Sequence, residues 1–295
     1  MAEEEICPDY GLRPLWDALY EIYEEFAKIC DRHGLRYYAF AGTLLGAIRH
    51  NGFIPWDDDL DVAMPRPDYE RFIDIAQGEL PEHLKFVSWK NTPEFNCLFG
   101  KIQDSRKDAV LALEKSTGRM LSNGVYIDIF PIDGYPQSKM YRALIKYRDL
   151  LLLPIERFHL YKWTHLSTRG KIVWVIGAVL SLFVPWMRTQ RQFMSFHERV
   201  LKKTSYEDSC LVSDIGLRYN VLSQPVLSKE AWGDPVPHAF DGKQIAIQHE
   251  PIKYLEQKFG DYMKLPPKER RHPSHQYSWR CLWWLGPTGD KNERN

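Results

Sequence analysis

The chain has 295 residues, of which 44% are hydrophobic and 26% charged, and its 39 Lys and Arg balance its 39 Asp and Glu. That length supports one large domain or two modest ones around a sizeable core. The balance excludes a nucleic-acid binder that works through a global basic excess, and equally an acidic, disordered chain.

In chain order, residues 12–32 space Leu15, Leu19, Ile22, Tyr23, Phe26 and Ile29 along one helical face, with Gly34 placed to end the helix. Residues 36–41 predict a short buried strand, broken by Gly42 and Thr43. A short helix over 44–49 and a turn at Asn51-Gly52 follow. A second strand is expected at 60–64, stopped by Pro65 and Pro67, with Asp68 placed to cap a helix running to about residue 77. Further strands are expected at 85–89, 97–103 and 125–130, and a loop at 131–136. Residues 139–166 read as helical with an interruption at Pro154. A helix at 191–203, a strand at 244–248 and a helix at 252–259 complete the pattern. Strands and helices mix in the first half and helices dominate the second, so the expected class is α+β. The expected organisation is a core over 1–136, a mostly helical region over 137–285 packed on it, and a flexible tail over 286–295.

Between Ile172 and Met187 the chain is almost continuously apolar. The run is short for a membrane span, which needs about 20 residues. Arg169 and Lys171 flank one side, Arg188 and Arg191 the other, and Trp174 and Trp186 lie near its ends. Two readings stay open, a buried core helix and a helix lying on the inner membrane face.

The five cysteines are odd in number, widely spaced and without a Cys-x-x-Cys, which predicts reduced thiols in a cytoplasmic protein. The acidic start, Met-Ala-Glu-Glu-Glu, lacks the apolar stretch of a secretory signal. His272 and His275, with His249, Cys210 and Cys281, match no standard zinc spacing. P-loop and nucleophile-elbow motifs do not occur.

The chemistry concentrates at Asp57, Asp58, Asp59 and Asp61. Crowded carboxylates repel, and one must hold a proton unless a cation sits among them. Oxygen-only ligands favour a hard divalent ion, Mg2+ or Mn2+. Side chains two apart on a strand share a face, so Asp59 and Asp61 are the expected ligands, with Asp57 and Asp58 in support. Asp128 lies between Ile127 and Ile129. It is either a strand-end polar group bonded to backbone or a third carboxylate, as metal ligand or as base. Gly42 and Thr43 open a helix whose N–H groups suit a phosphate, and Arg49 and Lys101 are candidate phosphate clamps or plain surface charges. Trp56, Tyr126 and Tyr135 are either core aromatics or faces for a quaternary ammonium.

The stretch Ala41-Gly-Thr-Leu-Leu-Gly-Ala-Ile-Arg-His-Asn-Gly-Phe-Ile-Pro-Trp-Asp-Asp-Asp-Leu-Asp-Val-Ala-Met64 resembles the signature of the LicD family, which is related to fukutin and fukutin-related protein. Further similarity lies in 64–72, 124–134 and 254–267, so the resemblance spans about 12–275. It implies a nucleotidyltransferase-like mixed-sheet core over 1–136 and transfer of phosphocholine, or a related phospho-alcohol, from CDP-choline or another CDP-alcohol. The implied acceptor is a sugar hydroxyl of a lipid-linked or surface glycan of lipopolysaccharide or teichoic acid type. Carried over, the family pattern assigns Gly42 and Thr43 to the turn, Asp59 and Asp61 to the Asp-x-Asp pair, and Asp128 as the third acid. A nucleotidyltransferase releasing pyrophosphate and an inactive glycan-binding protein are the alternatives.

Overall fold

The computed structural model describes residues 11–92, 95, 97–106, 124–160, 163–184, 187–214 and 224–273. The expected tail over 286–295, together with Trp186, His275, Cys7 and Cys281, lies outside the described residues.

Helix α1 (Arg13–His33) buries its apolar stripe, and Gly34 ends it in the left-handed region at φ 60°. Strand β1 (Tyr38–Ala39) leads into α2 (Ala41–His50). The helix starts three residues earlier than expected, so Gly42 and Thr43 form its first turn instead of breaking the chain. Ala41 enters it with φ 44°, a conformation costing an L-residue roughly 1–2 kcal/mol. Strand β2 (Asp61–Pro65) passes directly into α3 (Arg66–Glu79). Asp68 does not cap this helix. It is buried in the first turn and accepts a hydrogen bond from Arg36 Nε at 2.7 Å.

Strands β3 (Leu84–Val87), β4 (Gly100–Asp104) and β5 (Val125–Gly134) follow. The order β1-β2-β5-β4-β3 is antiparallel except for the parallel β2–β5 pair. β5 runs four residues further than the sequence suggests, through the segment expected to be a loop. Pro131 removes one donor, yet the chain stays extended because β2 pairs with it up to Ile132 and β6 (Leu211–Ser213) pairs with Asp133 and Gly134. β6 pairs in turn with β7 (Leu227–Ser228). The short helix α7 (Lys229–Trp232), the hairpin β8 (Val236–Phe240) and β9 (Lys243–Ile247), and α8 (Pro251–Phe259) cover the β1 side. The architecture is α+β.

Between β5 and β6 come α4 (Lys139–Leu160), α5 (Thr168–Phe183) and α6 (Gln190–Leu201). α4 continues through Pro154. α5 lies against it so closely that a Cβ on Gly177 would stand 1.8 Å from the Pro154 carbonyl oxygen. Within α5 only Gly177 and Ser181 are buried, while Phe183 is 77% and Leu182 66% exposed. The buried-core reading of the apolar run therefore fails, because α5 turns its narrow glycine face to α4 and, apart from the half-buried Trp174 against Phe158, leaves most of its large side chains outside.

One ion pair joins these parts. Arg66 donates from Nε and Nη2 to both oxygens of Asp133, each at 2.7 Å, and both side chains are buried. Glu198 on α6 stands 3.9 Å from the same guanidinium, and Lys90 bridges Glu198 at 3.2 Å and Glu70 at 3.7 Å. Removing one partner of such a pair strands a buried charge. Arg66→Met should lower unfolding free energy by about 3–5 kcal/mol in urea titrations at pH 7, and pairing it with Asp133→Leu should recover most of the loss. A single variant as stable as the wild-type chain would refute this account of the pair.

Candidate active site

The β2–β5 register sets Asp61 directly opposite Asp128 on neighbouring parallel strands. The β4–β5 register sets Lys101 opposite Asp128 on the other side. One row across the sheet thus reads Asp61, Asp128, Lys101. Lys101 is buried and its ammonium lies 2.5 Å from Asp128 Oδ1 and 3.5 Å from the centre of the Tyr126 ring. The sequence offered Lys101 as a phosphate clamp, whereas the structure engages it with Asp128.

Asp59 stands two residues before the start of β2, beside Leu60, whose carbonyl accepts from the Asp128 N–H at 3.0 Å. The β-pairing of the chain thus extends to the residue between the two expected ligands. The loop over 51–59 is held from outside: Trp16 stacks on Phe53 at 5.1 Å and donates from Nε1 to the Asp57 carbonyl at 2.9 Å. Thr43 is buried, and its hydroxyl accepts from the Asp61 N–H at 2.8 Å, so the first turn of α2 fixes the start of β2.

No side chain caps the α2 N-terminus. Instead the Asp57 carboxyl rests on Gly42, where a Cβ would meet Asp57 Oδ2 at 2.8 Å. Glycine is what lets an anionic group approach the positive end of this helix. Arg49 faces elsewhere. It donates from Nε to His50 at 3.0 Å and from Nη1 to the Tyr262 carbonyl at 2.8 Å, which ties α2 to the segment after α8. Burial lowers its pKa, Asp57 acts against that, and Arg271 adds to it.

The charges are heavily crowded. Burial, then Asp59, Asp128 and Asp57, push the Asp61 carboxyl well above its ordinary 3.8, and Lys101 opposes this. Burial, then Asp59 and Asp58, raise Asp57 likewise, and Asp57 shares a side-chain hydrogen bond with Asp59. The sequence reading had put Asp57 in a supporting role. The structure brings it into the same coupled group, and nothing in the local pattern could have revealed that, since the contact depends on Gly42 of another element. Among the described residues no three His, Cys, Asp or Glu side chains converge tightly enough to hold a metal ion as they stand. The donor chemistry nevertheless fits a hard cation, because three oxygen donors crowd together with more negative charge than Lys101 offsets.

The three candidate aromatics each have a cation of this chain over a ring: Lys101 over Tyr126, Arg271 over Trp56 at 5.7 Å and Arg142 over Tyr135 at 5.8 Å. Trp56 and Tyr126 are buried. Of the zinc candidates, His249 lies beside Gly233 in the hairpin region, Cys210 is exposed, and His275 and Cys281 fall outside the described residues.

Raised carboxyl pKa values make stability fall with pH. Between 3.8 and the raised folded value, the folded chain binds more protons than the unfolded one, so unfolding free energy drops as pH rises and the loss is complete above the folded value. In EDTA the chain should therefore melt lower at pH 7.5 than at pH 5, and Asp61→Asn should remove much of that slope. A pH-independent melting temperature, or an unchanged slope in the variant, would count against the crowding.

A family model described as "LicD/FKTN/FKRP, nucleotidyltransferase domain" matches residues 34–158, which hold the whole of this site. The chain is 31% identical over 258 residues to the lipopolysaccharide cholinephosphotransferase LicD of Haemophilus influenzae, covering 86% of this chain and 92% of that protein. It is 29% identical over 139 residues to the human ribitol 5-phosphate transferase FKRP, covering 46% of this chain and 23% of that one. Similarity to the bacterial protein covers most of both chains, and on that ground the chain belongs to the LicD family.

Proposed function

We propose that this chain transfers phosphocholine, or a related phospho-alcohol, from a CDP-alcohol to a sugar hydroxyl of a cell-surface glycan. The observation that carries the reading is the in-register row of Asp61, Asp128 and Lys101 beside the Asp57–Asp59 pair, in a chain similar over most of its length to a lipopolysaccharide cholinephosphotransferase. CDP-choline is the preferred donor and a lipopolysaccharide-type glycan the preferred acceptor. The similarity to a ribitol 5-phosphate transferase keeps CDP-ribitol as the second donor.

Asp59 and Asp61 would hold Mg2+ or Mn2+, with Asp128 as third carboxylate, and the ion would neutralise the diphosphate of the donor. The α2 N-terminus at Gly42 offers backbone N–H groups to a phosphate oxygen once Asp57 swings away. Thr43 keeps Asp61 in position through its backbone N–H. The acceptor oxygen attacks the distal phosphorus, the bond to the bridging oxygen breaks, and CMP leaves with that oxygen. The acceptor's proton passes to a carboxylate, for which Asp128 is the candidate. Lys101 holds Asp128 in place and supplies positive charge next to the transferring group.

Incubation of the chain with CDP-choline and Mg2+ should release CMP, and Asp59→Asn and Asp61→Asn should each cut the rate by about 10²–10³-fold or more while melting as folded proteins. Near-wild-type rates in either variant would sink the assignment. Pyrophosphate released from a nucleoside triphosphate would favour a nucleotidyltransferase instead.

The reading also places the protein in the cytoplasm, peripheral at the inner membrane face through the run from Ile172 to Met187. Among the described residues no helix is long and apolar enough to cross a membrane. α5, at 16 residues, spans about 24 Å. What supports a surface contact is its exposed row of Ile172, Val175, Ile176, Val179, Leu182 and Phe183 beside Arg169, Lys171 and Arg188. Flotation with phosphatidylglycerol vesicles should carry the chain upward, and Leu182→Glu with Phe183→Glu should weaken binding about tenfold or more. A chain that remains at the bottom of the gradient at low salt would exclude this contact.

A further inference from the structure

A cavity of about 650 Å³ opens where α6 begins, lined by Trp89, Lys90, Arg191, Gln192, Ser195 and Arg199 among others. Among the described residues, neither the candidate aspartates nor any other acidic side chain lines it. Lys90 is balanced from behind by Glu198 and Glu70. Arg191 and Arg199 are exposed about two turns apart on α6, and the Arg199 Nε donates only weakly, at 3.4 Å, to the carbonyl of Ser195 on its own helix. The wall thus combines two forked cations, one ammonium and a half-buried indole. Guanidinium pairs match the oxygens of a phosphate monoester, and an indole face matches the C–H face of a sugar ring.

The cavity has a fixed relation to the aspartate row. Val87, the last residue of β3, is the register partner of Lys101, which extends the row to Asp61, Asp128, Lys101, Val87. At ~4.8 Å per strand that row spans about 14 Å, and Trp89 lies two residues beyond its end. An aromatic wall connects the two places. Gln190 at the start of α6 donates to the Phe95 carbonyl at 3.5 Å, Phe95 meets Phe99 edge-on, and Phe99 packs on Phe130 at 4.5 Å, two residues from Asp128. The apolar face of α5 ends eight residues before Arg191 in the chain.

We propose that this cavity binds a phosphate-bearing sugar of the acceptor glycan and holds the chain of sugars so that a hydroxyl further along it reaches the aspartate row. The proposal rests on the phosphotransferase reading for what happens at the far end, but sugar-phosphate binding itself needs no turnover.

Calorimetric titration of the full chain with glucosamine 1-phosphate, glucosamine and inorganic phosphate tests it. The sugar phosphate should bind at least tenfold more tightly than either fragment. Arg191→Gln with Arg199→Gln should weaken it tenfold or more without lowering the melting temperature, both side chains being exposed. Trp89→Leu, which keeps the cations, should also weaken it and shrink the margin over inorganic phosphate. CDP-choline should not compete. The proposal is overturned if the wild-type chain does not bind the sugar phosphate, if the arginine variant binds it as well as wild type, or if inorganic phosphate binds equally. It fails too if CDP-choline displaces the sugar phosphate, or if phosphatidylglycerol vesicles do, which would make the basic cluster a membrane contact. Sugar-phosphate binding without CMP release from CDP-choline would fault the donor assignment alone, and the reverse result would fault only the cavity.

Discussion

The pairing register of β2 and β5 is the constraint on which this molecule depends. Each β2 residue from Asp61 to Pro65 stands opposite the β5 residue 67 positions later, from Asp128 to Ile132. The next step of the same register would match Arg66 with Asp133, and those are the two side chains joined by the buried bidentate ion pair. The register is therefore clamped by charge at one end and exposes charge of one sign at the other. A slip of one residue would turn Asp61 and Asp128 to opposite faces and separate the buried pair as well. The stability of the core and the geometry of the candidate site are consequently the same fact about two strands.

Crowding at the open end is what makes that geometry useful. Burial, and then repulsion from neighbouring carboxylates, raises the pKa values of Asp57 and Asp61 and leaves an attraction for any cation that reaches them. Lys101 relieves this on one side only, since its ammonium is committed to Asp128 and to the face of Tyr126. The α2 helix end, against which Asp57 rests, is a second favourable place for an anion. A doubly charged diphosphate and a divalent ion arriving together would each satisfy what the other's absence leaves strained. That mutual need is a physical reason for the residues to be so arranged, independent of any family likeness.

Much of this was legible in the sequence because the signals are local. An acid flanked by isoleucines marks Asp128, and alternation draws attention to Asp59 and Asp61, although the strand itself begins only at Asp61 and leaves Asp59 outside it. Helix α1 follows directly from its apolar spacing and Gly34. What was hidden depends on residues distant in the chain. Pro131 argued for a loop, but β2 and β6 hold the segment extended. Asp68 looked like a helix cap, but Arg36 claims it. Lys101 looked like a clamp for substrate, but the strand register delivers it to Asp128. Arg66 and Asp133 carried no signal at all, since a charge at a strand end is usually solvated and only the fold buries this one.

The same logic explains why the apolar run was ambiguous. Its composition fits burial and surface contact equally, and the decision is made by one glycine. Gly177 brings the α5 backbone against Pro154, so apart from Trp174, which packs edge-on against Phe158, the helix keeps most of its large side chains out of the contact. A helix meant for the interior would turn its Ile, Leu and Phe side chains inward, where each is worth about 1.5–3 kcal/mol on burial. Here that free energy is left uncollected by the fold and remains available to an external apolar phase. Basic residues flank the helix, and the α6 residues that line the cationic cavity follow it in the chain. On the proposed reading, an acceptor with a lipid end and an anionic sugar end would find a complement for each on this chain, the apolar row of α5 for the first and the cationic cavity for the second.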